Sequence, residues 1–160
     1  MRTLGIDPGT AIMGFGLVEE DGRNLKAVEY GCIRTSKDKS PSQRLHILYK
    51  RLEEIIIEFK PSHLAVERLF FNDNAKTAMS VGEARGIILL AGASAGLMIS
   101  EYTPLQVKMA ITGYGKADKK QVQQMVKILL KLDDVPKPDD TADALAIAIC
   151  HLHSYNMEKR

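Results

Sequence analysis

The chain is predicted to form one α/β domain, a mixed five-stranded sheet flanked by helices. Two observations carry this reading. The first 36 residues hold three strand-length apolar segments with a tight-turn signal between the second and third. From residue 62 onward, short apolar runs alternate with longer helical stretches, the pattern of strands covered by helices. A length of 160 residues suits a single domain over 1–160, its last few residues a tail, and 45% hydrophobic content is enough for a sizeable core.

The opening strands are "RTLGID", "IMGFGLVE" and "LKAVEYGCIRT". The Asp21-Gly22 pair between the last two suits a hairpin turn with positive backbone angles. In "SPSQRLHILYKRLEEIIIEF", Leu45, Leu48, Leu52, Ile55 and Phe59 form one helical stripe, with Ser40 or Ser42 as cap and Pro61 beyond the end. "SHLAVE" reads as a fourth, internal strand. After the "RLFFNDN" loop a helix starts near Ala75, and its Gly82, Gly86, Gly92 and Gly96 permit close approach of a neighbour, within the subunit or across a dimer. "MISEYT" is the fifth strand. Pro104 then opens a helix, "TGYGKA" forms a loop, "DKKQVQQMVKILLKL" another helix, and "DDVPKP" leads into the last helix.

Composition narrows the class. Only Cys32 and Cys150 are present, in no CxxC pair, which disfavours a disulfide scaffold or zinc ribbon and fits a reducing cytoplasm. The N-terminus reads straight into a strand rather than a signal peptide. The apolar run from Gly86 to Ile99 is too short to span a bilayer, so no membrane role is expected, and it reads as a buried helix leading into a strand. A net charge of +2 is compatible with a polyanionic partner without requiring one.

The chemistry concentrates in acids. Asp7 closes the first strand ahead of Pro8-Gly9, where an acid also suits the start of a turn. Glu67 closes the fourth strand, where a terminal Glu is ordinarily solvated or ion-paired. Asp139, Asp140 and Asp143 crowd the start of the last helix. Asp140 and Asp143 have capping-box spacing, yet residues three apart also share a helix face. Four carboxylates gathered at one sheet edge repel unless a cation neutralises them, and oxygen-only ligands suit Mg²⁺ or Mn²⁺ rather than zinc. Such sites support two-metal phosphoryl chemistry.

"GIDPGT", "AVE" with a Phe three residues after its Glu, "GEARG", "PLQVKMAITGYGKADKKQVQQMV" and "DDTADALAIAICHLH", in this order along nearly the whole chain, together resemble the RuvC family of Holliday-junction resolvases. The resemblance implies an RNase H-like fold and a homodimeric endonuclease that nicks two like strands of a four-way DNA junction. It implies Mg²⁺, with Mn²⁺ able to substitute and two ions per site, held by Asp7, Glu67, Asp140 and Asp143. Some relatives carry His at the place of Asp140, so the resemblance implies for Asp140 either a direct ligand or a proton shuttle. Asp139 is then the spare carboxylate and a candidate cap. RuvA and RuvB branch-migration proteins are the implied protein partners.

Lys108 and Lys119 match family positions near the scissile strand, and the clustering of Lys116, Lys119, Lys120 and Lys127 suggests a phosphate-tracking stripe. The match places base stacking on Phe70, beside Phe71, and the position of Arg68 next to Glu67 makes it a candidate phosphate contact. His151 and His153 read as dipole-complementing residues in the last helical turn rather than as metal ligands, and Cys150 as core. Two rivals remain. A related nuclease acting on RNA or on another branched substrate would use the same acids, and an actin-like ATPase would share "GIDPGT", although 160 residues leave little room for two lobes.

Overall fold

A computed structural model describes residues 1–68 and 75–158. Ten elements follow in chain order: strands β1 (Arg2–Asp7), β2 (Ile12–Asp21) and β3 (Asn24–Arg34), helix α1 (Pro41–Phe59), strand β4 (His63–Glu67), helix α2 (Ala75–Ser94), strand β5 (Met98–Tyr102), and helices α3 (Pro104–Thr112), α4 (Lys119–Leu129) and α5 (Asp139–Glu158). The sheet order is β3-β2-β1-β4-β5. The first three strands form an antiparallel meander, and β4 and β5 add in parallel beside β1. The expected five-stranded mixed sheet is present, with β2 and β3 each reaching further into the hairpin than the apolar runs alone indicate.

Each face of the sheet carries its own core. On one face, Leu48, Leu52 and Ile55 of α1 and Ala84 and Ile88 of α2 pack on Leu4, Ile6, Leu64 and Val66. On the other, α3, α4 and α5 close over Val18 and Ala65, with Leu145, Ile149 and Leu152 of α5 buried. Leu48, Leu52 and Ile55 of the α1 stripe are buried, Leu45 and Phe59 at its ends only partly so, and Ser40 rather than Ser42 is the cap: the Gln43 N–H donates to Ser40 Oγ (3.3 Å) and the Ser40 N–H donates to Gln43 Oε1 (2.9 Å). The same reciprocal box opens α3 with Thr103 and Gln106 and opens α4 with Asp118 and Gln121.

Two expectations are corrected. The helix from Ala75 is not buried along its length, since Leu90 is half exposed and Met79 more so. Its glycines do not all mark close packing either. Only Gly92 has neighbours that a Cβ would crowd, Leu64 and Ile99, whereas added Cβ atoms at Gly82 and Gly86 would meet nothing within the protomer. Gly96 serves a turn, with φ of +71°.

The glycines that do decide the architecture lie in the strands. A Cβ on Gly5 would stand 2.2 Å from the Ala144 carbonyl oxygen, one on Gly14 2.0 Å from the Asp140 carbonyl oxygen, and one on Gly16 2.7 Å from the Leu145 side chain. Gly5 pairs with Gly16 and Asp7 with Gly14 across β1 and β2. The missing side chains make a trough in which α5 lies directly on the sheet backbone.

Candidate active site

The trough sets where the acids meet. β1 and β4 are parallel neighbours, so Asp7 and Glu67 emerge at the same sheet edge. Gly14, opposite Asp7, lets the first turn of α5 descend onto that edge with Asp140 and Asp143. The four sequence-predicted carboxylates are thus brought together from three elements. Asp7 feels it most. Burial, then the charges of Asp143, Asp140 and Glu67, push its carboxyl up to about 8, helped by a side-chain hydrogen bond with Asp140 that only a protonated carboxyl can donate. Burial and Asp143 also raise Glu67, while Lys119 and Lys108 pull the other way.

Glu67, Asp143, Lys108 and Lys119 line one cleft of about 270 Å³, floored by Val107, Val122 and Ile147. Lys119 is exposed, yet it is paired with acids of α5. Its Nζ lies 3.3 Å from Asp143 Oδ2 and 3.4 Å from Asp139 Oδ2. Burial still raises Asp143, with Lys119 opposing it. Asp139, the candidate cap, instead ties α5 to α4, because its Oδ1 accepts from Gln123 Nε2 at 3.0 Å while its Oδ2 pairs with Lys119. Asp139 and Asp140 both lie inside the first turn of α5, where acids still complement the helix dipole.

Among the described residues no three carboxylates form a closed ion cage as they stand. The donor set nevertheless fits a hard divalent cation. All four groups offer oxygen, burial together with their mutual repulsion holds a proton on Asp7 near neutral pH, and the repulsion is what a cation relieves.

The remaining expected contacts divide. Lys116 and Lys120 are exposed near the start of α4. The Arg68 backbone N–H donates to the Tyr102 carbonyl (2.7 Å), and its Nε lies 3.7 Å from Glu101 Oε2, while Glu101 Oε1 pairs with Arg85. Phe70 lies outside the described residues. The histidine reading is corrected. α5 continues to Glu158, so His151 is interior rather than terminal, bonded to the Tyr102 hydroxyl (2.9 Å) and stacked near His63 (5.0 Å between centroids). Burial lowers its pKa to about 4, leaving a neutral ring that cannot complement the dipole. Cys150 is core, as expected. Sequence reasoning missed Gly5, Gly14 and Gly16; the signal available was the alternation of glycine with large apolar residues in "MGFGL".

The family model described as crossover junction endodeoxyribonuclease RuvC matches residues 3–151. A crossover junction endodeoxyribonuclease RuvC from Desulfitobacterium hafniense is 60% identical over 160 residues, covering all of this chain and 97% of the relative. One from Heliobacterium modesticaldum is 58% identical over 154 residues, 96% of this chain and 95% of the relative. Among solved structures, Thermus thermophilus RuvC in complex with a Holliday junction substrate is similar with a TM-score of 0.94 and 36% identity, over 99% of this chain and 96% of that one. The yeast mitochondrial Holliday junction resolvase Ydc2, 16% identical with a TM-score of 0.73, shares the fold.

Proposed function

The chain belongs to the RuvC family of crossover junction endodeoxyribonucleases, and on that footing we propose that it is a Holliday-junction resolvase, nicking two like strands of a four-way DNA junction symmetrically by metal-dependent hydrolysis. The observation that carries the reading is the convergence of Asp7, Glu67, Asp140 and Asp143 at one sheet edge, facing Lys108 and Lys119.

Those four acids would hold Mg²⁺, with Mn²⁺ as a substitute and two ions per site. When bound, such ions supply the positive charge that activates an attacking water and stabilises the leaving oxygen. The protein's own residues do the rest. Asp7 gives up the proton that it holds in the free protein, which frees an oxygen ligand. Asp140 is either a ligand or a proton shuttle in this arrangement. Lys108 and Lys119 set positive charge in the cleft that Glu67 and Asp143 also line, Lys119 directly beside Asp143, where a strand phosphate is attracted. The apolar floor of the cleft lowers the local dielectric and strengthens each of these interactions.

DNA contacts beyond the cleft fall to Arg68, Lys116 and Lys120, with Phe70 stacking on a base exposed at the opened crossover. Paired nicks require two sites, and the proposed homodimer is built on α2. Its exposed Met79 and Leu90 and its open positions at Gly82 and Gly86 are suited to a second copy. RuvA and RuvB are the proposed protein partners and the cytoplasm the proposed location; no helix among the described residues is long and apolar enough to cross a membrane.

The test is cleavage of an end-labelled synthetic four-way junction, beside a linear duplex and an RNA–DNA hybrid, in Mg²⁺ and in EDTA. Paired symmetric nicks confined to the junction and lost in EDTA are expected. Cutting of the hybrid alone would transfer the acids to a different nuclease.

A further inference from the structure

The loop between α3 and α4 exposes one aromatic residue and holds its backbone still. Tyr114 is 56% exposed. Its N–H donates to Thr112 Oγ1 (3.1 Å), and its carbonyl accepts from the Ala117 N–H (3.1 Å). A glycine flanks it on each side. Gly113 takes φ of +71° to end α3, and Gly115 is so close to Leu105 and Met109 that an added Cβ would lie 2.7 Å from Leu105 Cδ1. Both peptide groups of Tyr114 are fixed while its ring faces outward, so ordering the backbone costs nothing further when something binds the ring.

The surroundings specify what that partner is. Tyr114 lines a groove of about 440 Å³ with Lys120, Gln121, Gln124 and Met125. Asp118 also lines the groove and balances the charge of Lys120 there, so the positive excess that favours a polyanion comes from the surrounding segment, where residues 108–127 hold five lysines against that one aspartate. The groove and the acid cleft are separate, and both border the start of α4: Lys119 lines the cleft and reaches Asp143, and the next residue, Lys120, lines the groove. A strand leaving the cleft across the start of α4 meets Tyr114 next. A rigid aromatic face among cationic and amide donors is the construction that stacks on a nucleobase.

We propose that Tyr114 is a second stacking platform, which takes an unstacked base of the junction strand leaving the acid cleft across α4. This rests on the reading of the chain as a junction-cutting nuclease. Lys120 holds the neighbouring phosphate, and Gln121 and Gln124 border the base.

The protein contains no tryptophan, so Tyr114→Trp installs a single fluorescent reporter that keeps the stacking face. In EDTA, where binding is separated from cutting, its emission is expected to be quenched by a four-way junction and much less by a linear duplex, whose bases are already stacked. Tyr114→Ala is expected to weaken junction affinity by about 5- to 150-fold, with Tyr114→Phe and Tyr114→Trp close to the wild type. Thermal unfolding of the Ala variant checks that the exposed position leaves the fold intact. Unchanged emission on saturating junction, equal quenching by duplex, or full affinity of Tyr114→Ala would each overturn the platform. Should the wild type cut junctions under any of those outcomes, the platform alone fails. A wild type that neither binds nor cuts junctions would remove the functional reading beneath it.

Discussion

Replacing Asp7 with Asn should make the metal-free protein more stable while abolishing cleavage. Asp7 stands at about 8 in the fold against 3.8 for an ordinary Asp, because it is buried and faces Asp143, Asp140 and Glu67. Between about pH 4 and pH 8 the folded chain therefore binds a proton that the unfolded chain releases, and its stability falls as pH rises through that window. At pH 7 the cost is about 1.4 kcal/mol per pH unit over roughly three units, or about 4 kcal/mol. Asn keeps the shape and the hydrogen-bonding ability without that cost. Urea unfolding in EDTA should show the variant more stable by a few kcal/mol at pH 7, with the gain fading toward pH 4. His151, held near 4, acts in the opposite direction over part of this window, but it is common to both proteins and cancels in the difference. Added Mg²⁺ should then stabilise the wild type more than the variant. A gain that is absent, or that does not change with pH, would refute the argument that burial and the neighbouring acids hold Asp7 protonated in the metal-free fold.

Three further outcomes follow from the geometry. Lys119→Ala removes the 3.3 Å partner of Asp143, so cleavage should require higher pH as the acids rise, and the log–log salt slope of junction binding should fall by about 1; an unchanged slope would remove Lys119 from the DNA footprint. Gly14→Ala puts a Cβ 2.0 Å from the Asp140 carbonyl, so α5 must shift; a stability loss of about 1–3 kcal/mol and severe loss of cleavage are expected, and wild-type nicking would show that the trough does not set the acids. Gly86→Ala adds a Cβ that meets nothing within 4 Å inside the protomer and should raise helix stability by up to about 1 kcal/mol, yet weaken the dimer in sedimentation analysis if α2 is the contact; an intact dimer would place the interface elsewhere.

The sequence alone determined the local elements and the chemistry of the site. Alternating apolar runs and an Asp-Gly turn specify the meander, the Leu48-Leu52-Ile55 spacing specifies α1, and Asp7 and Glu67 at strand ends with Asp140 and Asp143 at a helix start specify an oxygen-rich site. These are properties of neighbours along the chain, which a short window contains. What only tertiary structure decided is how distant segments touch. Gly5, Gly14 and Gly16 look like weak strand residues until α5 lies on them, because a missing Cβ has meaning only when another backbone takes its place. Lys119 reads as a phosphate contact in a lysine stripe, and only the packing of α4 on α5 shows that it also pairs with Asp143 and Asp139, twenty or more residues along the chain. His151 reads as a terminal, dipole-facing histidine until burial against His63 and Tyr102 makes it neutral. Charge and protonation depend on burial and on through-space distance, and both are set only when helices dock on the sheet.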